Sequence, residues 1–244
     1  MKALILAGGL GTRLQSVVSD RPKPMAEVKG KPFLEYQIEG IRSQGFTEIV
    51  LCIGYRAEQI QAYFGDGQRW GVHIAYAVER ELLGTAGAIR NAAPLLAGTF
   101  LVCNGDSYLE ADLRALVAFH EQRCSSDPRT LGSIATVAVD NAAAYGTLDL
   151  DEAGRILSFR EKSGAGASWV NGGVYVLEPN ILTLIPPSRP VSLERETFPL
   201  ALASSWHLYG YPVQGFFVDI GTPEGYERFR RYVEEKSENS HDHP

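Results

Sequence analysis

Gly8, Gly9 and Gly11 follow a short apolar run, and two cations, Arg13 and Lys23, come after them. Glycines at the end of a strand carry no Cβ, so backbone N–H groups in such a loop reach phosphate oxygens closely. A guanidinium fork and a lysine point charge beside them add the positive charge that a phosphate needs. Two familiar phosphate loops do not fit. A Walker A loop requires a Gly-Lys pair, which is absent. A dinucleotide fingerprint accepts Gly9 and Gly11 but meets Leu14 at its third glycine, and Pro22-Lys-Pro24 intervenes before any acidic ribose partner. The glycines alone also suit a plain tight turn. The prolines around Lys23 fix its backbone, which favours a placed cation over a solvated loop lysine.

Asp106 and Asp219 each follow an apolar run. Asp106 stands at the carboxyl end of its run, where open α/β sheets place their ligands. Each Asp is equally a good turn cap, and spacing alone does not bring the two together. Glu161-Lys162, read by itself, is an exposed charge pair at a strand end.

The elements that must position these groups are readable from periodicity. Apolar runs at 3–7, 48–53, 73–78 and 99–103 read as buried strands, and 32–44, 56–64, 87–96 and 113–122 as helices. Strands alternating with helices predict βαβ units and a Rossmann-like, three-layer α/β/α fold with a mixed, mostly parallel sheet. The second half is strand-rich: 133–139, 146–150, 156–160 and 170–177, with Asp151 to Gly154 as a hairpin connection. Residues 193–204 read as a helix, 208–213 and 216–219 as strands. Thr222 and Pro223 predict the N-cap and first residue of a last helix. We expect one domain over 1–235, with a nucleotide-binding lobe (1–125), a second lobe (126–235) for the other substrate, and a polar flexible tail (236–244).

The chain of 244 residues has a net charge of −6 and 45% apolar residues, enough for a sizeable core. No Lys/Arg run marks a nucleic-acid binder, and no apolar run approaches the roughly 20 residues of a membrane span. Cys52, Cys103 and Cys124 have no C-x-x-C spacing, so neither a zinc nor a redox pair is expected. An odd count without a staple pattern fits a reducing compartment, which predicts a cytoplasmic protein.

The segment Ala7-Gly-Gly-Leu-Gly-Thr-Arg-Leu14 with Pro22-Lys-Pro24-Met25 resembles the signature of the sugar-nucleotide pyrophosphorylases, the NDP-sugar nucleotidyltransferases. The resemblance continues through Leu83-Gly-Thr-Ala-Gly87, Asn104-Gly-Asp106, Glu161-Lys162, Asn171-Gly-Gly173 and Asp219-Ile-Gly-Thr222. It implies a divalent metal, Mg²⁺, and a reaction in which a nucleoside triphosphate and a sugar 1-phosphate give an NDP-sugar and pyrophosphate. By the same resemblance Arg13 contacts the leaving β- and γ-phosphates, Lys23 the α-phosphate and the incoming phosphate, and Asp106 and Asp219 the metal. Leu6, Ala7, Gly8, Gly9, Gly11, Thr12, Glu79, Gly84, Thr85, Asn104 and Gly105 would line the nucleotide. Gly146, Glu161, Lys162, Asn171 and Gly172 would hold the sugar phosphate.

Glu79 bears on the base. Thymidylyl and uridylyl members often carry Gln there, and a carboxylate accepts both donors on the guanine edge, N1–H and N2–H₂. Glu81 is the competing acceptor. The expectation is GTP. The short form resembles the subgroup acting on D-glycero-α-D-manno-heptose 1-phosphate, with mannose 1-phosphate guanylyl transfer and a short uridylyltransferase as alternatives. A metal-dependent glycosyltransferase would want a D-x-D, where this chain has one Asp in Asn104-Gly-Asp-Ser107. A non-catalytic sensor of nucleotide sugars would not need the retained Arg13, Lys23, Asp106, Lys162 and Asp219.

Overall fold

The structure is a computed structural model, and it describes residues 1–11, 14, 20–142, 145–160, 166–187 and 189–239. In chain order the elements are β1 (Ala3–Leu6), β2 (Glu27–Val28), β3 (Lys31–Pro32), α1 (Phe33–Ser43), β4 (Glu48–Ile53), α2 (Ala57–Phe64), β5 (His73–Val78), α3 (Gly84–Asn91), β6 (Phe100–Asn104) and β7 (Ser107–Leu109). The second half has α4 (Leu113–Ser126), β8 (Thr130–Val139), β9 (Thr147–Leu150), β10 (Ile156–Arg160), β11 (Ser168–Leu177), α5 (Phe198–Ala203), β12 (His207–Val213), β13 (Phe217–Asp219) and α6 (Pro223–Asn239).

One nine-stranded mixed sheet runs through both halves. Strands β5, β4, β1 and β6 lie side by side in parallel. They are near-continuous apolar runs because helices cover both faces: Leu4 faces one core and Ile5 the other, and both are fully buried. This is the Rossmann-like half that the periodicity predicts. Strand β11 then turns the sheet antiparallel. Its last residues pair with β6, its first with β9, and β8 runs along its other edge. The register shifts between Asn171 and Tyr175, so β11 is bulged where the two halves meet. A bulge re-aims the side chains beside it, and here it sets Asn171 at the junction.

Several boundaries differ from expectation for physical reasons. The helix expected over 87–96 starts at Gly84, because the Val191 carbonyl accepts from Ala86 and Gly87 and holds the first turn. It ends at Asn91, before a 3₁₀ turn that contains Pro94. The segment expected as one helix over 193–204 is a π-turn, Leu193–Thr197, leading into α5. Helix α6 continues to Asn239, so residues 236–239, expected in a flexible tail, are helical. Phe229 and Val233 anchor it in a cluster with Phe33 and Val218, and the Lys236 ammonium reaches the Glu110 carboxylate. Thr222 caps this helix as expected, accepting from Gly225 N–H at 3.1 Å. The hairpin at Asp151 also forms, joining β9 to β10 with Gly154 at φ +78°. Among the described residues no helix is long and apolar enough to cross a membrane.

Candidate active site

Three segments converge at the carboxyl ends of β1 and β6. The glycine loop leaves β1, and Gly11, at φ +61°, lies so close to Lys23 that a Cβ would stand 2.7 Å from that of the lysine. Lys23-Pro24-Met25 forms a 3₁₀ turn led by Pro22, which holds the lysine backbone rigid as the flanking prolines predict. The third segment follows β6. Gly105 donates to the Leu6 carbonyl at 3.0 Å, and a Cβ on Gly105 would collide with that oxygen. Gly105→Ala is therefore expected to cost about 1–3 kcal/mol of stability by overpacking, read from the denaturant midpoint.

Spacing could not join Asp106 to Asp219, and the topology does. Strand β7 begins one residue after Asp106 and pairs antiparallel with β13, in register Ser107 to Asp219. Ile220 N–H donates to the Asp106 carbonyl at 2.8 Å. Both carboxylates then meet Lys23, whose Nζ lies 2.8 Å from Asp106 Oδ2 and 3.9 Å from Asp219 Oδ1. The lysine is 9% exposed. Two hard oxygen donors held on one side of a loop junction suit a hard divalent cation such as Mg²⁺.

Two clefts open from this junction. The first, of about 440 Å³, is lined by Leu6, Ala7, Gly8, Gly9, Gly11, Lys23, Glu79, Gly84, Thr85, Asn104, Gly105 and Asp106, with Leu10 and Leu82 at its mouth. Those two leucines are exposed apolar surface, the kind of flank that covers the face of a base. The second cleft, of about 490 Å³, is lined by Asp106, Asp219, Gly146, Asn171, Glu194, Arg195 and Arg160 among others. Asn104 and Asp106 belong to both. Nearly every nucleotide-lining residue expected from the sequence therefore gathers in one cleft, and Gly146 and Asn171 gather in the other. Gly172 instead faces the sheet, where a Cβ would stand 2.9 Å from the Ala135 carbonyl oxygen. Thr12, Arg13, Glu161 and Lys162 lie outside the described residues.

Glu79 is buried in the first cleft. Its Oε2 accepts from Leu83 N–H at 3.1 Å, and its other oxygen lies where a Cβ on Gly8 would fall. Burial lifts its carboxyl above the ordinary range, with the Leu83 N–H opposing in part. Glu81, the competing acceptor, is exposed and does not line the cleft.

A partly buried polar network, whose links through Tyr175 and Glu194 the sequence does not show, ties the clefts together. Glu194 accepts from Thr85 at 3.1 Å and from the Tyr175 hydroxyl at 3.1 Å. That hydroxyl accepts in turn from Asn171 at 2.9 Å and Asn104 at 3.3 Å. Burial pushes the Tyr175 phenol far above its usual range, so it stays a neutral donor. Gln37 donates at 2.8 Å to the carbonyls of Asn104 and Ser107, fixing the backbone on both sides of Asp106. Gln37 lies in an amphipathic helix and Glu194 in an expected one, and neither stands out from its neighbours by type or spacing.

The nucleotidyl transferase family profile matches residues 2–236. A D-glycero-alpha-D-manno-heptose 1-phosphate guanylyltransferase from Campylobacter jejuni is 35% identical over 94% of this chain and 98% of its own length. A mannose-1-phosphate guanylyltransferase from Mycobacterium tuberculosis is 38% identical over 93% of this chain, which spans only 62% of that protein. Among solved structures, HddC from Yersinia pseudotuberculosis complexed with GMP-PN superposes with a TM-score of 0.81 at 34% identity, covering 95% of this chain and 99% of that one.

Proposed function

Because the chain belongs to the nucleotidyl transferase family, we propose that it transfers the guanylyl group of GTP to D-glycero-α-D-manno-heptose 1-phosphate, releasing pyrophosphate. The observation that carries this reading is the meeting of two clefts at Asp106, with Lys23 between two carboxylates.

The reaction joins two anions. An oxygen of the sugar phosphate attacks the α-phosphorus of the triphosphate. The bond from that phosphorus to the bridging oxygen breaks, and pyrophosphate leaves with the electron pair. No covalent intermediate on the protein is needed, so the residues must hold an in-line geometry and offset charge repulsion. The first cleft holds the triphosphate against the glycine loop, the second orients the sugar, and Lys23 supplies positive charge where both phosphates meet. Asp106 and Asp219 would hold Mg²⁺, which supplies neutralisation of the triphosphate oxygens.

Guanine is supported by the buried Glu79 carboxylate in the nucleotide cleft, by the activities named for the relatives, and by GMP-PN in the solved neighbour. Mannose 1-phosphate is the second reading for the sugar, favoured by the 38% identity to the mycobacterial protein. The deciding experiment is pyrophosphate release with Mg²⁺ and a matrix of GTP, UTP, dTTP and ATP against heptose, mannose, glucose and N-acetylglucosamine 1-phosphates. GTP with the heptose phosphate should give the highest kcat/KM. Faster turnover of UTP or dTTP would overturn the base assignment, and silence in every combination would overturn the enzyme.

Glu79→Gln tests the base contact. Loss of a charged acceptor costs about 1.5–3 kcal/mol, so kcat/KM for GTP should fall roughly 10- to 100-fold relative to UTP. The raised carboxyl adds a pH signature: its acceptor form is lost as pH falls, and at a higher pH than for an ordinary glutamate. The KM for GTP should rise on acidification in the wild type and not in Glu79→Gln.

A further inference from the structure

At the opposite end of the sheet from the clefts, His120, Cys124 and Glu178 bring three different donor atoms together. His120 and Cys124 stand four residues apart on α4 and so share a face. Glu178 follows β11 directly. The Glu178 carboxylate Oε1 is 3.1 Å from His120 Nε2, and Cys124 Sγ is 3.4 Å from the same nitrogen. All three atoms lie within 4.8 Å of one another.

We propose that His120 Nε2, Cys124 Sγ and Glu178 Oε1 form a binding site for a divalent ion of the zinc class, separate from the Mg²⁺ carboxylates. A tetrahedral ion with metal–nitrogen and metal–oxygen bonds of about 2.0–2.1 Å and a metal–sulfur bond of about 2.3 Å sets nitrogen roughly 3.4 Å from oxygen and 3.5 Å from sulfur. The two separations from Nε2 need to open by only a few tenths of an ångström, and the sulfur and oxygen, within 4.8 Å of each other, would settle roughly 3.5 Å apart. A nitrogen, a sulfur and an oxygen donor together match zinc and its neighbours, and not magnesium.

The surrounding shell is the one such ligands require. His120 Nδ1 lies 3.0 Å from Ser133 Oγ, which directs Nε2 at the metal position when Nδ1 carries the proton. The Thr99 hydroxyl donates to Glu178 Oε1 at 2.6 Å and orients the carboxylate. His120 is 1% exposed. Cys124 and Glu178 are partly exposed and give an ion a way in. The fourth position would take water. From Thr99 to Asn104 the chain advances five strand residues, about 16 Å, so the site is remote from the junction of the clefts.

Cobalt titration of the full-length, chelator-treated protein tests this. The wild type should develop one equivalent of a near-ultraviolet sulfur-to-cobalt charge-transfer band, and Zn²⁺ should displace it. Cys124→Ala should abolish the band, whereas Asp106→Asn with Asp219→Asn should leave it intact. Cys52 and Cys103 are buried in strands β4 and β6 and do not substitute. Glu178→Gln keeps the shape of the side chain and should weaken cobalt binding at least tenfold. Saturating Zn²⁺ should raise the Tm of the wild type by a few degrees and leave Cys124→Ala unmoved. Transferase activity with Mg²⁺ should be the same in Cys124→Ala as in the wild type. Absence of the band in the wild type, its persistence in Cys124→Ala, or unchanged cobalt affinity in Glu178→Gln would each overturn the site. None of these readouts depends on which nucleotide or sugar the clefts accept.

Discussion

Asp106→Asn is expected to lower kcat by about a thousandfold or more, the scale on which preorganised charge acts in a transition state. The substitution keeps the shape of the side chain and removes its charge. Two losses follow at once. One of the two carboxylates available to Mg²⁺ becomes a neutral amide, and the nearest negative charge to Lys23 is then Asp219, 3.9 Å away, in place of Asp106 at 2.8 Å. The fold should not change. The backbone of Asp106 is held by the Ile220 N–H and its side chain is 40% exposed, and the buried Lys23 ammonium keeps the Asn amide oxygen as an acceptor beside the Asp219 carboxylate. Pyrophosphate release and a thermal melt on the same sample measure the two effects separately. Partial recovery at high Mg²⁺ would mark the defect as metal affinity. A near-normal rate, with the fold intact, would remove Asp106 from the reaction.

The parallel half of the sheet was legible because its strands are buried on both faces and its helices are amphipathic, which makes each element a distinct run of residue types. The N-cap of α6 was legible for a local reason, since Thr222-Pro223 satisfies helix-start chemistry wherever it occurs. What stayed hidden depends on pairings across the chain. Strand β7 is three residues long, too short for a period to register, yet it is the element that carries Asp106 to Asp219. The bulge in β11 leaves no mark in composition beyond its glycines. The network of Tyr175, Asn104, Asn171, Thr85 and Glu194 joins residues over one hundred positions apart; Thr85, Asn104 and Asn171 are expected as separate ligand contacts, while Tyr175 and Glu194, which link them, look like ordinary core and helix residues. His120, Cys124 and Glu178 meet in the same way, by the return of β11 beside β6, and no C-x-x-C spacing announces them. The candidate site was thus readable where one segment supplies it. The glycine loop and Lys23-Pro24 carry the expectation of a phosphate contact; the meeting of Lys23 with Asp106 and Asp219 comes from the topology.

Lys23→Met separates a cation that acts on the phosphates from one that merely pins the loop. In the structure the ammonium lies against the same two carboxylates that would hold Mg²⁺. Two cations near one carboxylate pair repel, so the lysine opposes metal binding until phosphate oxygens arrive to take up its hydrogen bonds. Removing the charge while keeping an unbranched side chain of similar bulk should therefore act in opposite directions. Mg²⁺ affinity without substrate should rise severalfold. The value of kcat should fall by about 10²–10³, because the repulsion between triphosphate and sugar phosphate loses its local compensation. The KM for the sugar phosphate should rise with it. Isothermal titration with Mg²⁺ and steady-state pyrophosphate release give the two numbers. A lysine that only braced the loop would give the reverse on the first measurement. Asp106 and Asp219, no longer drawn together, would then bind Mg²⁺ more weakly, and a lower affinity in Lys23→Met would place the residue outside the chemistry.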